Sequence, residues 1–215
     1  MIEEKDYRNT PHCPVTNNLQ EKKRSLEEEI WADFPRTRII YNKVRVRDSK
    51  YHDRFAEIYH KKCAYCGALW GILSTECFEI DHYINEKSFP DTIDGRAKAG
   101  RMSNLVWACV TCNRGKGGIT LVPPYDAILN PDDGSISKAF VRDEKYCIHI
   151  SEPYESDIFI NRFYNALHLD YETRRLDYLL LELHWKSMTE ENEARRNQYN
   201  SIFIELLKKR NTLTK

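Results

Sequence analysis

Two C-x-x-C knuckles, Cys63-Ala64-Tyr65-Cys66 and Cys109-Val110-Thr111-Cys112, stand 42 residues apart near the middle of a 215-residue chain. A C-x-x-C turn places two sulfurs on one side of a metal ion. Two such turns close a tetrahedral four-thiolate site and leave no open position. The spacing predicts a structural zinc held by Cys63, Cys66, Cys109 and Cys112. That zinc would pin both ends of a segment too short to bury much core by itself. A single C-x-x-C could be a redox pair, but two at this spacing favour the metal.

The compartment follows from the same residues. Seven cysteines, four of them in knuckles, fit metal binding in a reducing environment better than a secreted disulfide framework. Met1-Ile2-Glu3-Glu4-Lys5-Asp6 has no apolar stretch of the signal-peptide kind, and no segment approaches the ~18 apolar residues of a membrane span. The expected location is the cytoplasm, with no membrane partner. The 33 basic and 33 acidic residues cancel, which neither favours nor excludes nucleic acid, because binding depends on where the charge sits. Between Asp94 and Asp126 there is no acidic residue, while Arg96, Lys98, Arg101, Arg114 and Lys116 fall in that gap. The field around the knuckles is therefore positive.

Between and just beyond the knuckles lie Glu79-Ile80-Asp81-His82, Asn104 and Asn113-Arg114-Gly115-Lys116. Residues 78–82 read as a strand, which puts Glu79 and Asp81 on one face and His82 opposite unless the strand ends there. Phosphodiester hydrolysis needs a base to activate water and a cation to neutralise charge on the scissile phosphate. His82 suits the base, since an imidazole titrates near the working pH. Asp81 offers a hard anionic oxygen to magnesium or manganese, and Asn113, heading a short helix, offers a second oxygen without another charge. Arg114 and Lys116 are candidate phosphate grips. Glu79 reads equally as a support for Asp81 or as an exposed strand residue.

Asp81-His82, Asn104 and Asn113 resemble, in order and context, the HNH (ββα-metal) endonuclease motif in the variant that ends in asparagine. Asn113-Arg114-Gly115-Lys116 is also similar to the matching segment of the HNH domain in CRISPR effector nucleases. The resemblance implies Asp81 and Asn113 as ligands of one catalytic Mg2+ or Mn2+, His82 as general base, and Asn104 as the residue that holds the inter-strand loop and so orients the histidine. A looser likeness involves Ser88-Phe89-Pro90, Asn104-Leu105-Val106 and Ala166-Leu167-His168-Leu169-Asp170 with Arg174-Arg175. These resemble HNH effectors of bacterial anti-phage systems, the Septu-type and retron-associated groups, and imply an ATPase partner. The segment between Phe89 and Asn104 and the helix around Leu26 depart from that subgroup.

The rest of the chain reads as scaffold. Residues 1–17 are polar and broken by Pro11 and Pro14. Residues 18–34 have helical spacing, with Leu19, Leu26, Ile30 and Phe34 on one stripe before Pro35. Residues 39–46 are rich in β-branched types and predict a short strand. Ser49 is an N-cap candidate for a second helix, and His52 and His60 near it read as solvated or capping residues. Pro123-Pro124 forces an extended exit, and Asn130-Pro131-Asp132-Asp133-Gly134 is a turn. Residues 136–141 and 146–150 read as a small hairpin. From Glu155 on the pattern is helical, with Asp170 as an N-cap and the stripe Tyr199, Ile202, Phe203, Leu206 and Leu207 facing a core. Cys13 reads as a free thiol, and Cys77 and Cys147 as buried ones.

The expected fold class is α+β: a ββα-metal core with a four-cysteine zinc site, flanked by N-terminal helices and a C-terminal helical bundle. The expected division is an N-terminal arm over 1–48, the nuclease core over 49–122, and a hairpin with C-terminal helices over 123–215. The expected function is a metal-dependent endonuclease acting on DNA, with structured RNA such as tRNA as the alternative substrate. A non-catalytic zinc module that binds nucleic acid or protein is the competing class. It gives no reason for an Asp-His pair at a strand end.

Overall fold

A computed structural model describes residues 6–14 and 16–213, so part of the irregular 1–17 stretch lies outside the described residues. The first helix, α1 (Leu19–Asp33), buries Leu19, Lys23, Leu26 and Ile30 at intervals of three and four, one stripe of a 3.6-residue period. Residues 39–46 are not a strand. Ile40 and Val44 are both buried and stand four apart, which is helical spacing, and they frame the single turn α2 (Tyr41–Val44). Next, α3 (Lys50–Ile58) begins as expected, with Ser49 Oγ accepting from the His52 backbone N–H at 3.2 Å. It packs on α1. His52 is buried rather than solvated; its ring meets Trp107 edge-on, with centroids 5.2 Å apart.

The centre of the molecule is one antiparallel pair. β1 (Phe78–His82) runs against β2 (Leu105–Cys109), with Phe78 opposite Cys109, Ile80 opposite Trp107 and His82 opposite Leu105. Helix α4 (Ile93–Ala99) lies in the loop between them, and α5 (Val110–Lys116) follows β2 directly. Every residue of β2 is buried, and Trp107 packs against Phe78 and Trp70. These aromatic contacts bury far more apolar area than a five-residue hairpin would alone.

Past α5, α6 (Tyr125–Ile128) and α7 (Ile136–Ala139) are short turns of helix. The hairpin is smaller than the sequence reading has it: β3 (Phe140–Arg142) pairs with β4 (Ile148–Ile150). Residues 136–139 curl into α7 because the Lys138 N–H bonds Ser135 O and the Ser137 hydroxyl bonds Gly134 O. α8 (Ile158–Ala166) buries Ile160 and Phe163. α9 (Glu172–Thr189) starts at Tyr171 with no side-chain cap, so Asp170 does not cap it. α10 (Glu193–Thr212) packs along α9, and none of its residues is buried. The expected core stripe on α10 is thus half-exposed, and the C-terminal helices form a pair rather than a bundle.

A single cluster of buried side chains runs from Tyr7 to Leu169 and draws on all three segments of the chain. Cys13 is buried, but Cys77 is exposed and Cys147 only half-buried. The fold is mixed α+β, and among the described residues no helix is long and apolar enough to cross a membrane.

Candidate metal centre and active site

The four knuckle cysteines converge. Their Sγ atoms all lie within 4.8 Å of one another, and all four residues are buried. Cys66 Sγ and Cys109 Sγ are 3.8 Å apart, and a zinc tetrahedron with bonds of about 2.3 Å has edges of about 3.8 Å. The donor set and its spacing fit a structural zinc. Cys63 and Cys66 come from the turn after α3, while Cys109 ends β2 and Cys112 sits in α5. The cluster therefore ties the hairpin and its helix to the N-terminal half.

Two partners of the cluster are invisible in the knuckle spacing. Arg174, buried on α9, donates to Cys66 Sγ at 3.1 Å and Cys112 Sγ at 3.3 Å, and also to the Leu167 and His168 carbonyls. A guanidinium there offsets part of the negative charge of four thiolates. On the other side the N-terminal segment is stitched down. The Tyr7 hydroxyl donates to Tyr65 O, and Arg8 reaches the carbonyls of Ala64 and Pro131. Gly67, at φ 77°, lets that segment approach, since a Cβ there would meet Arg8 O at 2.5 Å.

On the strand, α5 crosses β1 so that residues three apart on the helix meet residues two apart on the strand. Asn113 Nδ2 donates to Glu79 Oε2 at 2.7 Å, and Lys116 Nζ lies 3.1 Å from Asp81 Oδ2. Asp81 is buried, and its Oδ2 also accepts from the Tyr65 hydroxyl at 2.6 Å. Tyr65 belongs to the first knuckle, so the zinc site and the strand share a hydrogen bond. Burial pushes the Asp81 carboxyl above its ordinary value, against the opposing pull of Lys116 and Tyr65. Asp81 Oδ1 and Asn113 Oδ1 accept no hydrogen bond among the described residues.

Lys116 is 1% exposed, and its ammonium is also held by His82 O at 2.8 Å and Tyr83 O at 3.2 Å. The sequence reading expects Lys116 to grip phosphate, but it has no surface with which to do so; burial turns it into an internal brace of the strand end. Arg114 is open to solvent and reaches only toward Glu79 Oε1, at 3.5 Å. Glu79 is half-buried and pairs with Asn113 and Arg114 rather than with Asp81, so it fits neither expected role.

His82 closes β1 and is half-buried. Its ring packs on Tyr41, centroids 4.3 Å apart, and burial holds its imidazole below the ordinary histidine range. No hydrogen bond joins that ring to Asp81 or Asn113 among the described residues. Asn104 is buried and closes the loop: Oδ1 accepts from Ile84 N–H at 2.8 Å, while Nδ2 donates to Ile84 O and Ala99 O. Beside the strand lies a cleft of about 310 Å³, lined by Tyr41, Arg45, Arg47, Glu79 and Asn113 among others. The chain matches no protein-family model, no curated protein and no solved structure.

Proposed function

We propose that the protein is a metal-dependent endonuclease of the HNH type that hydrolyses phosphodiester bonds of nucleic acid, DNA first. The observation that carries this is the crossing of α5 over β1, which sets Asn113 and Lys116 against Glu79 and Asp81 one residue from the His82 imidazole. A zinc scaffold alone needs no buried acid at a strand end facing a helix that starts in the same knuckle.

The chemistry divides among few groups. Asp81 Oδ1 and Asn113 Oδ1 are hard oxygens that would hold Mg2+ or Mn2+, which supplies positive charge beside the scissile phosphate. His82, whose neutral form burial favours, would accept the proton of the attacking water at a ring nitrogen. Asn104 holds the 83–104 loop against the strand end, and Lys116 fixes the His82 and Tyr83 carbonyls. Both keep the imidazole from drifting. The likeness to anti-phage effectors supports an ATPase partner.

Plasmid DNA and total tRNA, incubated with the zinc-loaded protein and Mg2+ or Mn2+ beside His82→Ala, test the reading. Metal-dependent cleavage that His82→Ala lacks is the expected result. Equal activity of the two proteins, or none from the wild type with either metal and its ATPase partner present, overturns it.

A further inference from the structure

Lys116 is buried, so the protein's hold on a phosphate chain must come from elsewhere. Between Asp33 and Asp48 the sequence has no acidic residue but carries Arg36, Arg38, Lys43, Arg45 and Arg47. The fold brings this segment against the other acid-free stretch, residues 95–125. Tyr41 N–H donates to Gly100 O at 3.1 Å, and Gly100 is a close-contact glycine whose added Cβ would meet Ile39 Cγ2 at 2.9 Å. The Tyr41 ring lies on His82, and Arg45 and Arg47 line the same cleft as Asn113 and Glu79.

The arginines of this face differ from exposed basic residues nearby. Lys50 pairs with Asp33 at 2.7 Å, Arg54 pairs with Glu29, and Arg24 approaches Glu28. Arg36, Arg38, Arg45, Arg47, Arg96, Lys98 and Arg101 are exposed and have no carboxylate partner among the described residues. Among the described residues Arg47 reaches backbone carbonyls, Glu76 O and Phe78 O, both at 3.5 Å, and it lines the cleft with its charge unneutralised. Unpaired cations that line a cleft make the field inside it positive, and guanidinium forks match phosphate oxygens. A neutral total is thus compatible with a strong local grip.

We propose that residues 36–47, with Arg45 and Arg47 as the principal contacts, form the phosphodiester-backbone grip that lays a nucleic-acid strand across the cleft beside Asn113 and His82. The proposal rests on the nuclease reading for what happens next, but not for binding itself. Arg96, Lys98 and Arg101 flank Gly100, whose carbonyl accepts from the Tyr41 N–H, and are the next candidates for contact. The contacts are to phosphate, so they set register and orientation and carry no base preference.

The test is binding of a labelled DNA duplex and a labelled structured RNA, measured by fluorescence anisotropy over a range of salt. His82→Ala serves as the background so that no substrate is cut. Arg45→Glu with Arg47→Glu is compared with Arg195→Glu with Arg196→Glu, the same charge change on exposed α10. Arg45→Gln with Arg47→Gln is the milder pair, and zinc content and thermal unfolding verify the fold of each. The arm variants are expected to bind about tenfold or more weakly at ~0.1 M salt, with a salt slope shallower by about 1–2. The α10 variant is expected to bind as its parent does. The nucleic acid whose affinity falls is the one the arm holds. Equal weakening by the arm and α10 variants, no weakening by the arm variants, or no binding by the parent overturns the grip. The same arm substitutions are also made with His82 intact: cleavage that persists unchanged in them would sink the grip and leave the nuclease reading standing. Arm-dependent binding in the His82→Ala background, with no cleavage from the protein that keeps His82, would do the reverse.

Discussion

Arg174 Nη1 lies 3.1 Å from Cys66 Sγ, so a buried guanidinium from α9 sits against the cysteine cluster from outside both knuckles. Four thiolates around a divalent zinc carry a net charge of −2, and burial makes that charge expensive to hold. The guanidinium divides its donors between sulfur and the carbonyls of Leu167 and His168, so it joins the metal site to the α8–α9 corner. A metal held by the four cysteines would thereby be linked to docking of the C-terminal helices.

Replacing Arg174 with Met keeps the apolar stem and removes the charge. Breaking one side of a buried charge pair costs about 3–5 kcal/mol, so a clear fall in melting temperature and faster zinc loss to a chelator are expected. Arg174→Lys should recover only part of the effect, because one ammonium cannot span two sulfurs and two carbonyls. Zinc release followed with a chromogenic chelator checks this; release at the wild-type rate in Arg174→Met would contradict it.

Gly115→Ala should destabilise the core although it adds one methyl group on a helix. A Cβ at Gly115 would sit 2.0 Å from Ala166 O, at the end of α8, and backbone cannot yield as a side chain does. Overpacking of this kind costs about 1–3 kcal/mol, and the displacement would also pull Asn113 and Lys116 off β1. Urea unfolding reads the first effect and loss of cleavage the second. A variant as stable as wild type would show that α5 and α8 are not in register as described.

These two residues show what the sequence could and could not reveal. The knuckles, the strand bearing Asp81 and the Ser49 cap were legible because each rests on local spacing, whereas the short helix starts at Val110 and holds Asn113 in its interior rather than at its head. Arg174 and Tyr65 were not, since their roles depend on which distant element the fold brings alongside. Lys116 was misread as a phosphate ligand because a lysine beside Arg114 looks exposed in one dimension; only the crossing angle of α5 shows that position 116 turns inward. Lys23 was legible in retrospect. It falls on the stripe of Leu19, Leu26 and Ile30, and it is buried with Asp132 and Leu105 O. Residues 39–46 were misread because β-branched composition outweighed the four-residue spacing of Ile40 and Val44.

Arg114 and Lys116 should therefore respond oppositely to substitution. Lys116→Met leaves Asp81 and the His82 and Tyr83 carbonyls facing a methyl group, and a loss of about 3–5 kcal/mol is expected from the orphaned buried charge. Arg114→Ala removes a solvent-exposed side chain and should change stability by less than about 0.5 kcal/mol, while weakening nucleic-acid binding. Denaturant melts beside anisotropy titrations separate the two. Lys116→Met with unaltered stability would mean that the Asp81 pair is not buried.

The base role proposed for His82 predicts a pH signature. Burial lowers its imidazole from the ordinary 6.5; the Glu86 charge opposes that shift and the Lys116 charge adds to it. Single-turnover cleavage should rise tenfold per pH unit on the acid side, bend below 6.5 and stay level through neutrality, because the base works only when unprotonated. Removing the Glu86 charge with Glu86→Gln should move the bend further to acid. The stability effect has a definite sign. The unfolded chain binds the proton first, so the His82 contribution is complete above 6.5 and is lost as pH falls through the lower folded value. His82→Ala should abolish cleavage and flatten that part of the stability profile together. A cleavage limb centred above 6.5, or one that survives in His82→Ala, would assign the base to another residue.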